Sequence, residues 1–150
     1  MDVHTAFEGI SLTKTPGQHG SDETYADSAM AARLGGVSGV VFRHEGEKTL
    51  YLAGDTVWNR FVEETIGKYA PDVIVVNAGW AQIEGCGGII MGEEDISNVH
   101  RTASEALIVA THMEAINHCV LTRGQLRAFA EKHGFSEKLL IPLDGETCAL

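Results

Sequence analysis

Four residues in this chain stand at the ends of short apolar runs, where a fold tends to place its chemistry. Asp55 closes Leu50-Tyr51-Leu52-Ala53-Gly54, and Asn77 closes Val73–Val76. His112 follows Leu107-Ile108-Val109-Ala110-Thr111, and Asp144 follows Leu139–Leu143. A fifth residue, His19, sits in the turn-rich loop TPGQHG. Sheets with helical connections gather their sites at the carboxyl ends of strands. A carboxylate and imidazoles at neighbouring strand ends are suitable ligands for Zn²⁺, Mn²⁺ or Fe²⁺.

Each residue also has a plainer reading. Asp55 ahead of a helix is a natural N-cap. His112 can be a core histidine bonded to a carbonyl, His19 an ordinary loop residue, and Asp144 in Asp-Gly-Glu a turn residue. His4, His44 and His133 read as solvated, and His100 as a helix-surface residue. The stretch GCGG (85–88) is no phosphate loop, because no Lys-Ser/Thr follows it.

The elements that would position these residues alternate between strand and helix. Segment 7–14 reads as a strand running into a loop at 15–22, and 23–35 as one helix ending at Gly35-Gly36. Val37–Arg43 and Thr49–Ala53 read as two strands joined through the polar turn HEGEK. A helix is expected over 57–68, with Phe61, Val62, Thr65 and Ile66 on one face. The runs at 73–76 and 106–110 read as strands buried on both faces. A Gly-rich loop at 79–92 and a helix at 93–101, acidic in its first turn, lie between them. Thr122 as N-cap, Gln125 three residues on and Gly134 as the stop define a helix over 122–133. Leu139–Pro142 is a last strand. The pattern is an α/β layer architecture, one mixed sheet with helices on its outer face.

The chain has 150 residues, 44% apolar and 21% charged, enough for a single domain with its own core. Eleven basic residues face 21 acidic ones, for a net charge of −10. That balance excludes a protein built mainly to bind nucleic acid, which needs a basic stripe. No apolar run reaches the roughly 20 residues that span a bilayer. The first residues carry neither a basic nor an apolar leader region. Cys86, Cys119 and Cys148 form no CxxC pair. They read as reduced thiols of a cytoplasmic protein.

Four segments, taken in order, resemble one branch of the metallo-β-lactamase superfamily. They are GVSGVVFRHEGEKTLYLAGDTVW, PDVIVVNAG, ATHMEAINHCVLTR and IPLDGE. The branch is similar to the L-ascorbate-6-phosphate lactonase group of metal-dependent hydrolases, and LYLAGDT and THMEAINH carry most of the likeness. The resemblance implies the C-terminal part of an αββα sandwich, with His19, Asp55 and His112 as metal ligands and a divalent transition metal (Zn, Mn or Fe). It also implies that His118 and Asp144 lie near the site, and Asn77 joins them as a candidate neighbour from its place at the end of Val73–Val76. It implies metal-assisted hydrolysis of a small ester, lactone or phosphoester.

The family's H-x-H-x-D-H motif is absent from the sequence, and 18 residues ahead of His19 leave no room for it. The expectation is therefore a truncated, weakly active or inactive hydrolase whose metal is loosely held or missing. The rival expectation is a non-catalytic oligomeric binding or assembly module that keeps the fold. In either case a homodimer is expected, because the helices at 57–68 and 122–133 cover one face of the sheet and leave the other bare.

Overall fold

The computed structural model describes residues 4–114 and 116–150. A tight turn opens the chain. β1 (His4–Phe7) and β2 (Ile10–Pro16) form a hairpin through Glu8 and Gly9, at φ 48° and 84°. Two successive positive φ values give the turn whose twist matches that of the strands. The single strand expected over 7–14 is thus split by its own Glu-Gly turn.

The helix expected over 23–35 is also two elements, α1 (Asp22–Ala26) and α2 (Ser28–Leu34). Asp27 breaks them apart. Its carboxylate accepts from the N–H groups of Ala29 and Met30 and caps α2, a local bond that competes with helix continuation.

β3 (Ser38–Arg43) and β4 (Leu50–Leu52) follow, then α3 (Arg60–Tyr69) and β5 (Val73–Asn77). The Gly-rich loop carries a small hairpin, β6 (Gln82–Ile83) and β7 (Gly87–Gly88). α4 (Glu93–Thr102), β8 (Leu107–Thr111), α5 (Arg123–His133) and β9 (Leu139–Leu140) complete the chain. α5 is capped as its sequence predicts. Thr122 accepts from the Gln125 N–H, the Gln125 side chain accepts from the Thr122 N–H, and Gly134 ends the helix at φ 77°.

Seven strands form one mixed sheet in the order β1-β2-β3-β4-β5-β8-β9. β3 is antiparallel to both β2 and β4, while β4, β5, β8 and β9 pair in parallel. So β2, β4, β5, β8 and β9 all run the same way.

One row of cross-strand partners, Val41, Tyr51, Ile74, Ile108 and Leu139, points into the core against Val62 and Ile66 of α3, Ile96 and Val99 of α4, and Leu126 and Ala130 of α5. The Tyr51 hydroxyl lies beside Thr15 and Thr65, and burial pushes its pKa up. The alternate row, Val40, Leu52, Val75, Val109 and Leu140, points the other way. There Val40, Val75 and Leu140 are only half-buried and Leu52 is 37% exposed.

Gly39 sits where three elements meet. A Cβ on it would lie 2.6 Å from the Leu52 carbonyl oxygen, 2.8 Å from the Thr15 Oγ1 and 2.9 Å from the Tyr51 ring. Two of those neighbours are backbone and a buried aromatic ring, neither able to swing away. Gly39→Ala is therefore expected to cost about 1–3 kcal/mol by overpacking, read from the urea midpoint. An unchanged midpoint would show that the sheet yields at this point.

Candidate metal centre

Because five strands share one direction, the loops that leave them gather along one edge of the sheet. His19 follows β2, Asp55 follows β4, Asn77 ends β5, His112 follows β8 and Asp144 follows β9. The two loops carrying His19 and Asp55 are tied together. The Gln18 N–H donates to the Thr56 hydroxyl at 3.0 Å, and the Val57 N–H donates to the Gln18 carbonyl at 3.0 Å. Thr56 is fully buried, and its hydroxyl also accepts from the Asn59 amide.

Asp55 does not cap α3. Asn59 does, accepting from Phe61 and Val62. The Asp55 carboxylate instead accepts from the Asn77 Nδ2 at 2.5 Å, which fixes one oxygen and orients the other. Its duller sequence reading therefore falls away, and Asn77 acquires a defined role as its partner.

His112 is exposed rather than a core residue, and stands in the left-handed region at φ 56°. Glu114, two residues on, is at φ 59°. Both conformations are uncommon for residues with a Cβ.

After residue 115 the chain folds back across the same edge. Gln82 donates its N–H to the His118 carbonyl at 2.9 Å, and Cys119 bridges to Ala81. Gly79 permits this close approach, since a Cβ there would lie 2.5 Å from the His112 carbonyl oxygen and 2.7 Å from the Cys119 sulfur. Burial, together with the negative charge of Asp55, pushes the Cys119 thiol up.

His19 reports how these groups lie together. Burial pulls its pKa below the ordinary histidine value, Asp55 opposes that, and His112 and His118 push it further down. A neutral imidazole is the form that ligates a metal. Two imidazoles and a carboxylate are also the right donor types for a divalent transition metal.

The set is open, however. Among the described residues no three His, Cys, Asp or Glu side chains are drawn together closely enough to hold a metal ion. Asp144 lies at the rim. Its carboxylate, 80% exposed, pairs with Arg123 at 2.5 Å. Arg123 and the Gln18–Thr56 pair leave no local signal in the sequence, because these partners lie 9 to 38 residues apart. Of the other histidines, His100 is half-buried and stacks on Phe135, and His133 stacks on Phe129.

A cavity of about 440 Å³ opens next to the His19 loop, with Gln18, Trp58, Phe61, Trp80 and Asp95 among its lining residues. Trp80, at φ 46°, lays its indole over Gly88 and Gly92, where an added Cβ would meet the ring at 2.5 and 3.1 Å. Asp95, half-buried, accepts from the Gly92 N–H at the start of α4, and burial pushes its pKa up.

No model of a known protein family matches the chain. It is 47% identical over 143 residues to the UPF0173 protein YddR of Bacillus subtilis (strain 168), covering 95% of this chain and 54% of that protein. An isothiocyanate hydrolase from Delia radicum gut bacteria superposes with a TM-score of 0.94 at 47% identity, over 98% of this chain and 57% of its own. A possible metal-dependent hydrolase from Veillonella parvula does so at 0.94 and 40% identity, over 98% and 56%. The metallo-β-lactamase-fold protein YhfI of Bacillus subtilis shares the fold alone, at 12% identity and a TM-score of 0.62 over 93% of this chain and 50% of its own.

The neighbours of 40% identity or more are thus named hydrolases, one of them a possible metal-dependent one, and this chain has the metallo-β-lactamase-fold architecture over about half their length.

The electrostatics of His19 give a direct test in the metal-free protein. Asp55→Asn removes a charge that raises the His19 pKa, so the pKa is expected to fall further below 6.5. His112→Gln removes a charge that lowers it, so the pKa is expected to rise. An NMR titration of the His19 ring reads both. Two variants that leave it unmoved would mean the three side chains do not share a site.

Proposed function

We propose that this chain carries one side of a metal-dependent hydrolase centre, with His19, Asp55 and His112 as its metal ligands. The observation that carries the reading is geometric: the loops bearing His19, Asp55 and His112 leave strands of one direction at one edge of the sheet, where Gln18 binds Thr56 and Asn77 binds Asp55. The names of two solved structures of 47% and 40% identity, an isothiocyanate hydrolase and a possible metal-dependent hydrolase, support it. A bound metal would supply a hydroxide-like water near neutral pH.

The chain's own residues would do the rest. Burial keeps the His19 lone pair free, Asn77 aims the Asp55 carboxylate, and the backbone at Gly79 brings the His112 and Cys119 segments together. The metal is Zn²⁺, Mn²⁺ or Fe²⁺ by donor type.

The substrate we favour is a small organic electrophile that seats its carbon group in the cavity between Trp58, Trp80 and Phe61. That volume is in the range of small-molecule sites. An isothiocyanate fits this description: water adds at the central carbon of N=C=S, and rupture of the C–N bond releases an amine and carbonyl sulfide. Esters, lactones and phosphoesters form the wider class, and a lactonase-like activity belongs with them. A cytoplasmic setting goes with the same reading, supported by three free thiols. No helix among the described residues is long and apolar enough to cross a membrane.

The second reading is an oligomeric assembly module, favoured by the half-exposed row Val40, Leu52, Val75 and Leu140. A second copy of the chain would cover that face in a two-fold dimer.

Metal analysis separates the two. The purified chain is expected to carry or take up a transition metal, and to lose it on His112→Ala. Because H-x-H-x-D-H is missing from these residues, turnover of isothiocyanates or lactones is expected well below the usual ~1–10³ s⁻¹. Sedimentation is expected at twice the chain mass of 16.1 kDa. A metal-free, folded dimer would favour the assembly module. Metal-dependent turnover in the ordinary enzyme range would overturn the view that this centre is partial, and a stable monomer would overturn the dimer.

A further inference from the structure

Arg123 makes more polar contacts than any function so far assigned explains. It is the first residue of α5, where the helix dipole disfavours a positive charge. Its side chain is nonetheless 11% exposed and engaged on all sides. Nε donates to the Pro142 carbonyl at 2.8 Å. Nη1 donates to the Met113 carbonyl at 3.4 Å and to the Glu114 carboxylate at 2.6 Å, and Nη2 to the Asp144 carboxylate at 2.5 Å.

These partners belong to two loops only, the exits of β8 and β9. The planar guanidinium presents its donors in a rigid fork, so it holds two loops in one relative position more closely than a lysine ammonium, which keeps only the charge and rotatable donors. The Met113 carbonyl it grips lies between His112 and Glu114, both in left-handed conformations at φ 56° and 59°. Such conformations persist where the surroundings over-determine them.

The two carboxylate pairs taken alone are exposed ion pairs of the kind that contributes little. What sets Arg123 apart is that the same half-buried guanidinium also holds two backbone carbonyls, those of Met113 and Pro142.

We infer that Arg123 is a positioning residue: it clamps the exits of β8 and β9 and thereby sets where His112 presents its imidazole. The consequence for metal affinity rests on the metal-centre reading above, while the clamp itself does not. Residues that orient a metal ligand without touching the metal commonly change affinity by 10–100-fold.

The test compares Arg123→Met and Arg123→Lys with the wild-type chain, first without metal. In Arg123→Met, amide hydrogen exchange is expected to speed up at least about 10-fold across 112–121 and 141–146. β5 and α3 are expected to keep wild-type rates. The His112 ring signals should shift in NMR spectra.

With Co²⁺ as the probe, Kd is expected to rise by about 10–100-fold and the visible absorption to change, with partial recovery in Arg123→Lys. If Arg123→Met does not fold, the double variant Glu114→Gln, Asp144→Asn keeps the carbonyl contacts. It is expected to show a smaller change of the same kind.

Unchanged exchange and unchanged ring signals would overturn the clamp. Faster exchange with Co²⁺ affinity and spectrum intact would overturn positioning and leave a purely structural role. A wild-type chain that binds no Co²⁺ would instead sink the metal reading, and the exchange and ring signals would then decide the clamp alone.

Discussion

The direction of the strands governs everything else in this molecule. A parallel pair has both carboxyl ends at the same edge, and β4, β5, β8 and β9 pair in parallel as a block. β2 joins them in direction because two antiparallel steps, through β3, restore it. Five loops therefore open on one side without any residue in them having to bring it about. Parallel pairing in turn requires connections that cross the sheet, and α3, α4 and α5 supply them while burying the row from Val41 to Leu139. The core and the site are thus two results of one arrangement. The helices that cover the sheet are the same segments that return the chain to start each new strand in parallel.

Direction alone brings loops to an edge but does not order them. Polar contacts of short reach do that, each in a place where a different residue would fail. Thr56, fully buried, satisfies the Gln18 N–H and the Asn59 amide at once. Asn77 is long enough to reach the Asp55 carboxylate across neighbouring strands, and it offers a donor where aspartate would offer only repulsion. Gly79 gives the returning 116–121 segment room against the His112 carbonyl. Arg123 closes the far side between the exits of β8 and β9. Sparse as they are, these bonds sit in the half-buried zone where losing a partner is costlier than making the bond is favourable.

The elements whose signals are local were legible in the sequence. Four apolar residues in a row mark β5, and a Thr-to-Gln capping box with a terminal glycine marks α5. The failures were local too, but of a different kind. Asp27 interrupts a run that otherwise reads as helical, because its side chain offers the backbone a better bond than the next turn would. Glu8-Gly9 reverses the chain inside what reads as a strand.

Within the site, Asp55 and His112 were visible as polar ends of apolar runs, yet composition could not separate ligand from cap or core. The Asn59 cap removes the capping reading for Asp55, and exposure removes the core reading for His112, while the ligand role of both belongs to the proposal. Arg123 was invisible for a plain reason. Its partners lie 9 to 21 residues away, a spacing that no helical or strand period produces.

The chain contains two tryptophans, and Trp58 and Trp80 both line the cavity of about 440 Å³ beside the His19 loop. Every indole in the protein is therefore stationed at the same opening, with Trp80 44% exposed on the bed made by Gly88 and Gly92. The tryptophan emission of the molecule, excited selectively over its three tyrosines, is accordingly a local signal. It is blind to the distant hairpin and the far sheet edge, and sensitive to whatever enters or dries that opening. Quenching by a small solute, or a blue shift on filling, watches this single place with no label attached.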